Sequence, residues 1–339
     1  MSLPKVKVAA CHLAPVLLDK DATMIKVIDS IHEAAAKGTK LIVFPETYVA
    51  AFPLWGACKA PIDNHHLFRR ITESSIYVDG PEILSVQALC KKLEVVVLLG
   101  FNEKSKVSVG CIWNSYVLID ETGNIGAHHR KLVPTFFEKL TWANGDGSGL
   151  NVIDSKYGKI GALICGENTN SLARFTLLSQ GEQIHISIWP PAADMYRPST
   201  STEKKGFDNT IANIIRCGIQ CIEGKCFGIL CSSFVDKDML EFLINDDASN
   251  ESFYSNMSQG STLFLSPSGN EIGDNLRFEE GIAYAEFDLN DTVEPKQFHD
   301  LVGGYNRFDV FKLHVNRSSN VPIYFDNEEI HEQDKFQEL

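Results

Sequence analysis

The sequence predicts an α/β layered protein with one mixed sheet or two. Short apolar runs of strand length alternate with amphipathic helical patterns along the chain. Three hairpin-like stretches interrupt that alternation, so the strands cannot all be parallel. No proline- or serine-rich linker divides the chain before about residue 290, which predicts a single domain over residues 1–313.

The elements follow in order. KVKVAAC (5–11) alternates as a strand, and DATMIKVIDSIHEAAAKG (21–38) gathers its apolar residues on one helical face and stops at Gly38. LIVFPE (41–46) is a buried strand broken by Pro45. A helix over 81–93 leads into the strand VVVLLGF (95–101), and NSYVLID (114–120) turns into AHHRKL (127–132). LNVIDSKYGKIGALIC (150–165) reads as two strands around Tyr157 and Gly158. LARFTLLSQG (172–181) is a helix, HISIWP (185–190) a strand, and FDNTIANIIRCGIQCIEG (207–224) a longer helix. CFGILCSS (226–233), STLFLSPSG (261–269) and IAYAEFD (282–288) complete the strands. DETGNIGA, DSKYGKIGA and SPSGNEIG each set glycine where a hairpin turn needs positive φ. Residues 234–258 are acidic and polar and read as a surface insertion, and 314–339 as a polar tail that does not join the core.

A chain of 339 residues that is 44% hydrophobic can bury a large core. Its 31 Lys and Arg against 44 Asp and Glu give a net charge of −13, which argues against nucleic-acid or anionic-membrane partners. No apolar run approaches a membrane span, and MSLPKVKVAACHL has no long apolar core of the secretory kind. The nine cysteines are irregularly spaced, unlike a disulfide framework, so a reducing cytoplasmic compartment is expected, with thiol chemistry open. The N-x-S/T matches at Asn250, Asn256, Asn290 and Asn316 are then chance.

GALICGENTN (161–170) poses the chemical question, because a strand ends there on a cysteine followed by Gly166, Glu167 and Asn168. Ligands of α/β folds gather at the carboxyl ends of strands. A thiol at that position meets backbone N–H groups that favour a thiolate and hold a developing oxyanion, whereas an isolated cysteine ordinarily just packs. Glu46 ends a second strand and Lys131 leaves a third just before Pro134. Alone, these are a solvated carboxylate and a surface lysine. Together with Cys165 they compose an acyl-transfer site: the carboxylate takes the thiol proton, the ammonium steadies negative charge, and the thiolate attacks.

FPE at 44–46, RKLVPTFFEKLTWANGDG at 130–147 and ICGEN at 164–168, in that order, resemble the nitrilase branch of the carbon–nitrogen hydrolase superfamily over about residues 5–313. The resemblance implies a four-layer α-β-β-α sandwich and a Glu-Lys-Cys triad at Glu46, Lys131 and Cys165. It implies a second glutamate, Glu138, that orients substrate and lysine, and an oxyanion contact from the Gly166 N–H. Glu167 falls on an acidic position that anchors the site rather than reacting. It also implies a homodimer or a larger spiral homo-oligomer. The pattern departs at Gly166, where the family's motif has Trp, at Ser171 for Pro, and in GGYNRFDVF (303–311), where Gly304 stands for His and Phe308 for Pro. Trp189, Phe52 and Trp55 are candidate pocket aromatics beside strand ends, though plain core packing suits each equally.

The expected activity is hydrolysis of an organic nitrile to the carboxylic acid and ammonia, without metal or cofactor, through a Cys165 whose thiolate is populated near neutral pH. An amidase, a carbamoylase or a nitrile-hydrating enzyme of the same superfamily uses the same triad, and a non-catalytic binding or assembly protein is the reading from another class. Cys217, Cys221, Cys226 and Cys231 lie close in sequence but lack paired C-x2-C spacing, so core packing is expected there rather than zinc. His65-His66 and His128-His129 are expected to be surface pairs.

Overall fold

A computed structural model describes residues 3–194 and 209–323. The strands are β1 (Lys5–His12), β2 (Leu41–Val43), β3 (Val96–Lys104), β4 (Ile112–Ile119), β5 (Ile125–Arg130), β6 (Ile153–Ser155), β7 (Gly158–Ile164), β8 (Ile184–Trp189), β9 (Ala192–Asp194), β10 (Phe227–Ser232), β11 (Ser258–Gln259), β12 (Thr262–Leu265), β13 (Glu271–Leu276) and β14 (Gly281–Asp288). The first six-stranded sheet runs β14-β1-β2-β3-β4-β5 and the second runs β13-β12-β10-β8-β7-β6, while β9 and β11 form a small ribbon. Both large sheets are mixed, with parallel pairs at their centres (β1–β2–β3; β7–β8–β10) and antiparallel hairpins outside them.

Period-two alternation explains the layering. On β1, Val8 and Ala10 face the other sheet and join Ile160, Ile164, Ile186 and Ile229 in the central core. Ala9 and Cys11 face outward and meet helices α1 (Lys20–Ala36) and α3 (Pro81–Leu93) through Val27, Ile31, Ile83 and Val86. On the opposite side Leu163 and Leu230 pack under α4 (Ser171–Leu178) and α5 (Asn209–Gly224). The result is the four-layer α-β-β-α sandwich, held across its middle by the Tyr116 hydroxyl donating to the Ala162 carbonyl at 2.9 Å. The three turn glycines, Gly123, Gly158 and Gly269, all have positive φ as expected.

Several expectations need correction. β2 stops at Val43, so Glu46 lies three residues past the hydrogen-bonded ladder. Helix α2 (His65–Ser74) and strand β13 were not expected; α2 has only Leu67 and Ile71 buried in a charged segment, and β13 is largely exposed. Residues 234–258 are not merely surface. They form α6 (Lys237–Asp246) and α7 (Glu251–Ser255), whose Met239, Leu243, Phe253 and Tyr254 are buried with Phe52, Leu54 and Trp55. His129 is fully buried while its neighbour His128 is half-exposed, because successive strand residues face opposite ways. His65 and His66 are exposed, with His66 hydrogen-bonded to Asp246. The first residues of the expected 207–224 helix and residues 324–339 of the expected tail lie outside the described residues; 314–323 are exposed. Among the described residues no helix is long and apolar enough to cross a membrane.

Candidate active site

Three chain segments leaving strands deliver the expected residues to one place. The run after β2 brings Glu46, the residue after β5 is Lys131, and the residue after β7 is Cys165. The first two belong to one large sheet and the third to the other, so the site sits where the two sheets meet at their rim. A short turn at Phe136–Leu140 adds Glu138. Carboxylate oxygens of Glu46 and Glu138 and the Cys165 Sγ all lie within 4.8 Å of one another. The Lys131 ammonium donates to Glu46 Oε1 at 2.9 Å and to Glu138 Oε2 at 2.6 Å, so a cation already occupies the place between the carboxylates.

The two oxygens of Glu46 differ. Oε1 accepts from Lys131 and from Asn114 Nδ2 at 2.6 Å, whereas Oε2 is buried without a hydrogen-bond partner among the described residues. Burial, with the charge of Glu138 added and Lys131 opposing, pushes the Glu46 carboxyl up to about 7. Burial works against the Lys131 ammonium, yet attraction to Cys165, Glu46 and Glu138 in their ionised forms outweighs it and holds the lysine well above its usual range. Burial and the charge of Glu46 also push the Cys165 thiol well above its usual range, with Lys131 and the Gly166 N–H opposing. Burial thus favours the thiol over the thiolate expected near neutral pH. The thiol needs a base at the moment of attack.

Backbone and buried polar groups hold these side chains in place. Cys165 adopts φ +50, a left-handed conformation that costs a non-glycine residue roughly 1–2 kcal/mol. Asn168 Nδ2 donates to the Cys165 carbonyl at 3.0 Å, and its Oδ1 lies 2.8 Å from His185, which in turn meets Glu182 at 2.8 Å. Glu167 ties the lysine strand to the cysteine strand: it accepts from the N–H groups of Leu132 (2.6 Å) and Ile164 (2.9 Å) and from His129 Nε2 at 3.0 Å. Burial opposes its charge, but His129 and those two N–H groups keep its carboxyl below the usual range.

Cys165 and Glu138 open onto a cavity of about 490 Å³ lined also by Phe52, Phe137, Trp189, Phe253 and Gly166; the end holding the buried charged cluster is its base here, and the half-buried Arg216 marks its edge. A β-carbon at Gly166 would come within 2.8 Å of Thr135 Oγ1, which would have to shift, and would meet no other atom within 4 Å.

A model of the carbon–nitrogen hydrolase family matches residues 7–297. The chain belongs to that family. It is 31% identical over 326 residues to Nitrilase 3 of an unknown prokaryotic organism, covering 94% of this chain and 92% of that protein. It is also 31% identical over 327 residues to a nitrilase of Penicillium rubens, covering 96% and 97%. These relatives put it in the nitrilase branch, as a hydrolase of carbon–nitrogen bonds. The fold is similar to that of a carbon–nitrogen hydrolase from Helicobacter pylori G27, with a TM-score of 0.70 at 20% identity over 90% of this chain and 97% of that one.

In this hydrolase Glu46, Lys131, Glu138 and Cys165 converge, and Gly166, Trp189 and Phe52 line the cavity. Trp55 does not; it is buried behind Phe52 in the neighbouring apolar cluster. Glu167 lies outside the cavity wall, in the anchoring position described above. Gly304 and Phe308 are exposed and remote from the cavity lining. Among the described residues the four clustered cysteines do not converge as a ligand set. Cys217 and Cys221 pack beneath β10, and Cys231 points instead towards the carbonyls of Cys11 and Val43. Sequence reasoning missed Asn114, Asn168, His185, Thr135, Phe253 and Arg216. Asn168 sits within the quoted motif and had a signal; the others lie on elements whose approach to the site only the fold reveals.

Proposed function

We propose that the hydrolase converts an organic nitrile and two waters to a carboxylic acid and ammonia, with Cys165 as nucleophile. The observation that carries this reading is the Glu46 carboxylate in one cluster with the Cys165 sulfur, its buried Oε2 without a hydrogen-bond partner among the described residues. Glu46 takes the thiol proton as the sulfur adds to the nitrile carbon. Lys131, fixed between two glutamates, steadies the charge on nitrogen together with the Gly166 N–H, and the proton passes from Glu46 to that nitrogen, giving a thioimidate. A water adds, ammonia leaves, and a thioester remains. A second water, losing its proton to Glu46, releases the acid and returns the thiol. Glu138 acts by keeping Lys131 charged and aimed.

The experiment is ammonia release from a panel of nitriles against their matched amides and N-carbamoyl amines. The reading expects acid and ammonia from nitriles; turnover confined to the amides or carbamoyl compounds would contradict it. The homo-oligomer implied by the resemblance has a physical candidate in the exposed stripe Ile211, Ile215, Ile219 and Ile222 along α5. A charged residue at Ile215 is expected to lower the mass found by sedimentation, and an unchanged mass would move the interface elsewhere.

A further inference from the structure

The cavity lining carries two kinds of charged group. One is the cluster at its base. The other is Arg216 on α5, which lines the same cavity with Asn213. The guanidinium is held by neutral groups: Nε donates to Thr169 Oγ1 at 2.9 Å, Nη1 donates to Asn213 Oδ1 at 2.9 Å, and its carbon sits 5.9 Å from the centre of the Trp189 ring. Arg130, Arg174 and Arg307 each pair with a carboxylate, Glu103, Glu223 and Asp309 respectively. Among the described residues no carboxylate forms an ion pair with Arg216. Among the described residues two of its five N–H groups are engaged, by Thr169 and Asn213, and Nη2 has no partner there. A guanidinium so oriented, at the edge of an apolar cavity, suits bidentate recognition of a carboxylate.

From this arrangement we infer, building on the nitrilase reading, that Arg216 anchors a carboxylate at the far end of the substrate. The preferred nitriles are then cyano-carboxylic acids, extended so that the nitrile reaches Cys165 while the acid stays at the edge. Charge distribution favours that orientation. An acid group at the base would sit against Glu46 and Glu138, whereas at the edge it meets the one cavity-lining cation among the described residues that has no carboxylate partner. The carboxylate formed by hydrolysis appears at the base, beside those same glutamates, where repulsion assists its departure.

The test compares ω-cyano-carboxylates of increasing chain length with their methyl esters, in the parent enzyme and in Arg216→Met and Arg216→Lys. A charge-assisted contact predicts that the parent prefers the acid at the optimal length by about tenfold to a hundredfold in kcat/KM, expressed mainly in KM. Arg216→Met is expected to collapse the acid-to-ester ratio towards one, and Arg216→Lys to retain part of it. A parent enzyme that prefers the esters, or a ratio unmoved by Arg216→Met, would overturn the proposal. Calorimetric binding of the same pairs to Cys165→Ala separates this inference from the chemistry. If no nitrile is turned over but the acid still binds more tightly than its ester and Arg216→Met removes the difference, the nitrilase reading fails and the anchor stands. Equal binding of acid and ester sinks the anchor even if nitriles are hydrolysed.

Discussion

The base of the cavity and its edge are built on different principles. At the base, Glu46, Lys131 and Glu138 are buried, and Lys131 bridges the two carboxylates. They hang from sheet ends and a capped turn, and hydrogen bonds tie them to one another. At the edge, Arg216 and Phe253 come from helices. The difference teaches where each property of the enzyme resides. Bond-making depends on atoms held within hydrogen-bond tolerance and belongs on rigid elements. Substrate choice depends on the shape and charge of a wall, which helices and loops can vary without disturbing the base.

The largest expected effect falls at the base. Cys165→Ala should lower turnover by about 10⁴-fold or more, measured as ammonia release, with the far-UV spectrum unchanged. Glu46→Gln should cost about 10²- to 10⁴-fold in kcat/KM, the range of a general base. In the parent enzyme the base must be ionised, so kcat/KM should fall as pH drops through about 7. A flat profile from pH 8 to 5.5 would remove Glu46 from that role.

An effect on the cavity's shape should be smaller and selective. Gly166→Trp displaces Thr135 and fills the cavity base, so kcat/KM for bulky aryl nitriles should fall about tenfold more than for small aliphatic ones. Equal losses for both would mean that Gly166 serves the chemistry rather than the shape.

The smallest expected effect concerns stability. A carboxyl with an ordinary value near 4.5 that is raised to about 7 in the folded chain binds its proton more tightly when folded. Its cost to folding is absent below about 4.5, grows as pH rises, and is complete above about 7, on the order of 3 kcal/mol. Glu46→Gln should therefore gain urea resistance relative to the parent as pH goes from 5 to 8. A gain that does not grow with pH would contradict this account of Glu46.

Much of the base was legible in the sequence because strands end in recognisable ways. An apolar run stops, a proline or glycine follows, and the charged residue just beyond lies at a sheet rim. That logic found Glu46, Lys131 and Cys165 separately, and the resemblance joined them with Glu138. It failed where residues act across the fold. Asn114 reaches Glu46 from the next strand but one along the sheet, and His185 steadies Cys165 through Asn168. His129 was readable in principle, since alternation along β5 must turn one histidine of the pair inward. Met239 and Leu243, four residues apart, signalled a helix face within the acidic 234–258 segment, but composition outweighed periodicity there. Nothing local distinguishes Arg216 from any exposed arginine; its meaning comes from the cavity that α5 borders.

Cys165 is expected to form the covalent intermediate of nitrile hydrolysis, which rapid-quench intact mass followed by peptide mapping would detect. With a nitrile that is turned over, the expected increment is that of the whole nitrile or of its acyl group in place of the thiol hydrogen. That increment should map to Cys165, appear before ammonia release reaches steady state, and be absent in Cys165→Ala. Steady turnover with no adduct at Cys165, or an adduct confined to another of the nine cysteines, would contradict it.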